Sequence, residues 1–202
     1  MNLKLPALVP WMVLAGVAYG QVRTADVLYT FQEATPQPGY RLGDECFVAL
    51  DTPEQWGWKV KKSSDSVDVT AEGHTVHLTT RYVSGKMVIP LRKVITELGG
   101  QTEWTPGADT FNVFSNLTQV TVRNGKVHVQ SPLPFKPTAF FLNPGRTVID
   151  LDGARIAPGT EQQVDSGVRI GQFRPNVVRI VIQTDFVPKL PEGKISETKN
   201  FD

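Results

Sequence analysis

Cysteine is almost missing from this chain. Among 202 residues Cys46 stands alone, so neither an internal disulfide nor a cluster of thiolate metal ligands is available. Histidine is nearly as scarce, with His74, His77 and His128 as the full set. Side chains on a strand alternate faces, so His74 and His77, three apart, point to opposite sides. Ligand number and spacing both argue against a zinc site. Net charge is lacking too: Lys+Arg 21 against Asp+Glu 20 leaves +1, which gives no global field for nucleic acid or anionic lipid. Any partner must be held by local patches and shape.

The residues of catalysis are also thin on the ground. No Gly-x-Ser-x-Gly elbow occurs, and Ser196-Glu197-Thr198-Lys199, which has the Ser-x-x-Lys spacing, falls in a polar tail rather than at the start of a buried helix. Cys46 sits in the apolar strand pattern Glu45 to Leu50, where a buried small hydrophobe is the reading over a reactive thiol. Asp150 and Asp152 lie two apart, a spacing open to acid and base work, but Asp152-Gly153 is a turn signal first. The expectation is a protein that is not an enzyme and carries no cofactor or metal.

What the chain does have is short strands. The N-terminus comes before them as an export signal: Lys4 supplies a charge, Leu5 to Val17 is mostly apolar, and Ala18-Tyr19-Gly20 sets small residues for cleavage before Gln21. The apolar run is interrupted by Pro6 and Pro10 and falls short of the roughly 18 residues of a membrane span. With no cysteine after it, a lipid anchor is not indicated, and the expected location is the periplasm or another extracytoplasmic part of the envelope. Residues 21–38 form a lead-in in which Val27 to Phe31 has the makings of a strand.

Over residues 39–115 the pattern becomes regular. Cys46 to Leu50 and Trp56 to Val60 are strand-like, and Val67, Val69, Val76 and Leu78 alternate around Glu72-Gly73 as a hairpin. Leu91, Val94, Ile95 and Leu98 then make the one helical stripe, with Pro90 before it and Gly99-Gly100 after it. Strands Gln101 to Trp104 and Thr110 to Phe114 complete a small α+β unit. Residues 116–185 show no such stripe. Asn124-Gly125 marks a hairpin, three prolines between Ser131 and Pro137 mark a crossing segment, and Ala139 to Leu142, Thr147 to Leu151, Val168 to Ile170 and Val177 to Gln183 follow as strands. The fold class is therefore mainly β: antiparallel hairpins with one short helix, then an all-β sandwich, then a polar linker or disordered tail over 186–202.

Two family resemblances attach to these patterns. The order Leu117-Thr118-x-Val120, Arg146-x-Val148-Ile149-Asp150-Leu151, Val168-Arg169-Ile170-Gly171-Gln172 and Val178-Arg179-Ile180-Val181 resembles the AMIN domain. This is a non-catalytic β-module of bacterial envelope proteins that targets N-acetylmuramoyl-L-alanine amidases and some secretins to the wall. The run Met87 to Arg92 with Ile95-x-Glu97-Leu98-Gly99-Gly100 and Trp104 is similar to the copper amine oxidase N-terminal-like domain of exported wall proteins. Amine oxidation itself has no support, because Tyr19, Tyr29, Tyr40 and Tyr82 lack the Asn-Tyr-Asp/Glu setting of that family's quinone.

The resemblance implies peptidoglycan or another wall component as partner. A cell-wall amidase, with the zinc hydrolase part lying beyond these residues, or division, secretin or pilus machinery comes second. A wall ligand offers carboxylates, acetamides and hydroxyls. Arginine's planar fork suits the first, and amide and aromatic groups suit the others. Arg146, Arg169, Arg174 and Arg179, with Gln172 and Phe173, are the candidate ligand-binding residues, Asn176 lying beside them. The plainer alternative is that these arginines solubilise strand faces or pair with Asp150, Asp152 and Asp165. Trp56 and Trp58 share a face and suit either sugar stacking or packing.

Overall fold

Glycine-bearing two-residue turns set the register of this chain, so its strands follow closely on one another. The computed structural model describes residues 21–29, 36–142, 145–183 and 199–201. The expected export signal over 1–20, and Ser196 with most of the expected tail, lie outside the described residues. Strand β1 (Arg23–Tyr29) runs antiparallel to β2 (Gln37–Leu42), which pairs with β3 (Glu45–Ala49). Helix α1 (Asp51–Gln55) comes next, and then β4 (Lys59–Lys62), β5 (Ser66–Ala71) and β6 (His74–Thr79) form a three-stranded antiparallel sheet. At its second turn Glu72 and Gly73 take φ of 48° and 81°, the left-handed pair that a type I′ hairpin needs. The hairpin of β7 (Arg81–Val83) and β8 (Lys86–Pro90) leads into helix α2 (Leu91–Glu97).

Helix α2 buries Leu91, Val94 and Ile95, as the stripe predicts. It has no side-chain cap of its own; instead Glu45 Oε1, from β3, accepts the Arg92 backbone N–H at 3.0 Å and satisfies a free donor of the first turn. Gly99 ends it at φ 82°. At Gly100 a Cβ would stand 2.7 Å from the Phe114 carbonyl and 2.6 Å from Leu133 Cδ1, so backbone and core approach too closely for any side chain.

Strand β9 (Gly100–Trp104) then turns into β10 (Thr110–Arg123), the longest strand at 14 residues. Its N-terminal half lies between β1, parallel, and β9, antiparallel. Its C-terminal half lies between β11 (Lys126–Gln130), antiparallel, and β14 (Ala154–Val164), parallel. Ser115 and Asn116, where the sequence suggests one region gives way to the next, both lie within β10. Strands β12 (Lys136–Leu142), β13 (Arg146–Asp152), β15 (Val168–Arg174) and β16 (Val177–Gln183) make a separate four-stranded sheet in the order β12-β13-β16-β15. Strand β17 (Lys199–Phe201) pairs with β11.

Two cores result. The first gathers Val27, Tyr29, Trp56, Trp58, Ile89, Ile95, Phe111 and Leu133 between the three-stranded sheet, the helices and the large sheet. The second gathers Leu117, Val120 and Val129 from the large sheet against Ile149, Leu151, Val178 and Ile180 from the four-stranded one, a two-layer sandwich. The mainly β fold class holds.

Four local expectations need correction. The strand foreseen from Trp56 starts only at Lys59, because Asp51 to Gln55 closes a helical turn in which the Trp56 N–H bonds to the Thr52 and Pro53 carbonyls. The lead-in contributes β1, a full member of the large sheet whose Val27 and Tyr29 enter the first core. Residues 154–164, unassigned by pattern, form β14. Within the tail, Lys199 to Phe201 is strand.

Candidate functional site

Strands β13, β15 and β16 each turn one row of side chains inward and one outward, as the two-residue period demands. Val178, Ile180 and Ile182 of β16 face the second core, so Arg179, Val181 and Gln183 face out. Register then fixes the outer surface. Arg169 of β15 lies opposite Val181, and Val181 opposite Val148 of β13; Gly171 lies opposite Arg179, and Arg179 opposite Asp150; Gln183 lies opposite Arg146. All four candidate arginines therefore belong to one sheet, with Arg146, Arg169 and Arg179 in neighbouring outward positions.

Their environments differ. Arg179 is held by a two-pronged ion pair, Nε donating to Asp150 Oδ1 at 2.7 Å and Nη2 to Oδ2 at 2.8 Å. Its guanidinium centre also lies 3.4 Å from the centroid of Phe173 and 5.6 Å from that of Phe140. The hydrogen bonds to Asp150 raise the Arg179 pKa further, so it stays charged at any working pH. With side chains only 25% and 16% exposed, Arg179 and Asp150 form a fixed post in the surface and are not a free ligand-binding pair. In contrast Arg146 and Arg169 are exposed and make no ion pair or hydrogen bond among the described residues. Arg174 lies 5.2 Å from the Phe173 centroid and, with Lys136, opposes the rise in the Asp152 pKa that burial and Asp150 cause.

Gln172 has a structural task. The register of β15 against β16 shifts between Gln172 and Arg174, a bulge that leaves Phe173 as the extra residue. The Gln172 amide holds that bulge in place: Oε1 accepts the Ile156 N–H at 3.0 Å, and Nε2 lies 2.7 Å from the Arg174 carbonyl and 3.1 Å from that of Val177. Its polar atoms are used inside the fold. The bulge turns Phe173 outward over Arg179, where it remains 46% exposed.

Two adjoining depressions mark this surface. One, of about 250 Å³, is lined by Arg169, Ile170, Gly171, Gln172, Phe173, Arg179 and Val181. The other, of about 420 Å³, is lined by Arg146, Gly167, Arg169, Val181 and Gln183. Arg169 and Val181 form the shared rim. Gly171, Val181 and Gln183 escaped the reading of the sequence; the available signal was a glycine inside a strand, which often marks close approach by another group.

The remaining sequence candidates lie elsewhere. Trp56 and Trp58 are buried with Tyr29 in an edge-to-face cluster, with centroids 5.0 to 5.8 Å apart, and so serve packing. Cys46 is buried, and burial pushes its thiol up to about 12. His77 Nδ1 lies 2.6 Å from Asp68 Oδ1 on an exposed sheet face. Asp150 serves Arg179, and Gly153 after Asp152 takes φ 80° in a turn. No helix among the described residues is long and apolar enough to cross a membrane.

Residues 116–191 match the AMIN domain family. A crystal structure of a hypothetical protein from Synechocystis is similar at 12% identity and a TM-score of 0.36, over 80% of this chain and 30% of that one. Comparison with curated proteins gives no match.

Proposed function

We propose that this chain is a non-catalytic protein of the bacterial cell envelope that binds peptidoglycan through the outer face of β13, β15 and β16, and so localises wall machinery. The family match over residues 116–191 supports the wall as the partner. The observation that carries the site is the pair of uncommitted guanidinium groups, Arg146 and Arg169, on the rim of one continuous surface depression. Arginine in that state offers its whole fork to a planar anion. The region around the first core, which resembles the copper amine oxidase N-terminal-like domain, serves in this reading as a structural companion. Export across the cytoplasmic membrane and an amidase or secretion complex as the localised partner belong to the same proposal.

Co-sedimentation of the purified chain with isolated peptidoglycan sacculi tests it. The unaltered protein is expected to pellet, and the Arg146→Ala, Arg169→Ala double variant to lose affinity by about tenfold or more with its circular dichroism unchanged, since charge-assisted hydrogen bonds are worth roughly 1.5–3 kcal/mol each. Unaltered protein that stays in the supernatant would reject wall binding.

A further inference from the structure

Gly171 is a glycine without a structural reason. Its φ lies outside the left-handed region, and a Cβ built on it would meet nothing within 4 Å. The position has room for a Cβ, and a β-branched residue would favour the strand by comparison, because glycine in a strand interior weakens it. What glycine does achieve is an open notch. Phe173 forms one wall, Arg169 the other, and Arg179 and Val181 of the neighbouring strand the far side. The Arg179 guanidinium there is already neutralised by Asp150 and covered by Phe173, so this depression is chiefly apolar. The adjoining depression is the reverse: Arg146, Arg169 and Gln183 line it with donors, and among the described residues no carboxylate lines it. Strand β15 is the edge of its sheet, so both are reached from the side as well as from above.

We infer that these two depressions are one composite subsite for the free C-terminal carboxylate of a peptide with small apolar side chains, the carboxylate at Arg169 and Arg146 and a methyl-sized side chain over Gly171. The inference rests on the wall-binding reading and narrows it from the wall as a whole to the peptide stem. Spacing supports it: Arg169 and Gly171 are same-face neighbours, separated by about 6.6–6.8 Å along the strand, the repeat of a dipeptide in an extended ligand. Charge complementarity selects the terminus, since two unpaired cations face one anionic group. The lack of a Cβ selects side-chain size, because a ligand bearing bulk at that point would collide with Phe173 or Val181.

The probe is diacetyl-L-lysyl-D-alanyl-D-alanine, titrated into the full chain and followed by amide chemical shifts, with its C-terminal carboxamide as the control. Saturable shifts at Arg169, Gly171 and Val181 with the free acid, weakened tenfold or more for the carboxamide, are the expected result. Gly171→Val is expected to abolish these shifts and Arg169→Gln to weaken them tenfold or more; the second variant keeps the test valid should the first disturb the strand. Equal binding of acid and carboxamide, or displacement of the peptide by an equal concentration of inorganic phosphate, would overturn the subsite. Sacculi that still pellet the protein while the peptide fails to bind would overturn the subsite alone, and failure of both would take the wider reading with it. Peptide binding without pelleting would support the subsite and reject the wall as its source.

Discussion

Around the first core Arg41 and Arg92 are spent on the fold, while Arg23 lies exposed at the start of β1. Arg92 Nη2 donates to the Asp44 carbonyl at 2.8 Å while its guanidinium lies 5.3 Å from the Phe111 centroid, and Arg41 pairs with Asp109 at 3.0 Å while stacked 4.3 Å from Trp104. Arg155, between the two cores, pairs with Glu103, donates to the Pro175 carbonyl at 2.8 Å and lies 3.8 Å from the Phe114 centroid. On the outer face of the second core Arg179 follows the same habit, but Arg146 and Arg169 do not. The lesson is one of allocation. Arg146 and Arg169 keep their forks free among the described residues, and Arg169 stands beside a glycine, Gly171, at which the fold leaves room for a Cβ.

The largest test of this contrast asks whether the two cores are separable at all. Gly100→Val drives a side chain into Leu133 of the first core and into the Phe114 carbonyl on the shared strand. Overpacking of this kind costs about 3 kcal/mol, which lowers Tm by about 10 °C in a chain of this size. A single, shifted melting transition is expected by calorimetry; two transitions would show that the cores unfold independently.

Next in size is Asp150→Ala, which strips the fixed post of its partner and leaves Arg179 half-buried against Phe173. An orphaned, partly desolvated cation costs about 2 kcal/mol, so Tm is expected to fall by about 6 °C. If Arg179 is structural, this variant still pellets with sacculi at temperatures where it is folded. Loss of pelleting in the folded variant would erase the distinction between committed and free arginines.

The smallest effect sits at Asp152. Burial first, and then the neighbouring Asp150, raise its pKa in the folded state. A carboxyl whose pKa is raised on folding binds its proton more tightly folded than unfolded. Ionised Asp152 therefore costs stability at neutral pH, and the cost fades as pH falls through the folded value and is gone below the unfolded one. Asp152→Asn should raise Tm slightly at pH 7, by less than about 2 °C, and leave it unchanged in strong acid. A gain that persisted there would assign the effect to something other than charge.

Much of this architecture was legible because its signals are local. Asn124-Gly125 predicts a turn, and the two residues take φ of 52° and 75°. The stripe Leu91, Val94, Ile95 gives α2 and Gly99 gives its end. Strand β14 was hidden because Pro158-Gly159 and the polar run Glu161 to Gln163 erase any alternation, and its parallel pairing with β10 is a long-range event with no local mark. Helix α1 was hidden by Pro53, a residue type that suits a turn and a helix's first turn equally well. At the candidate site, residue type alone could not tell a guanidinium in an ion pair from a free one. Arg179 and Arg169 look alike in sequence. Only the register, which puts Asp150 opposite the former and Val181 opposite the latter, separates them.

Strand β10 gives the molecule a mechanical character. Its two halves serve different cores, yet no linker joins them, and each half is held by one antiparallel ladder with bonds perpendicular to the strand and one parallel ladder with slanted bonds. Tension applied along it therefore passes through one continuous backbone and loads the flanking ladders in shear, where their bonds yield together rather than one after another.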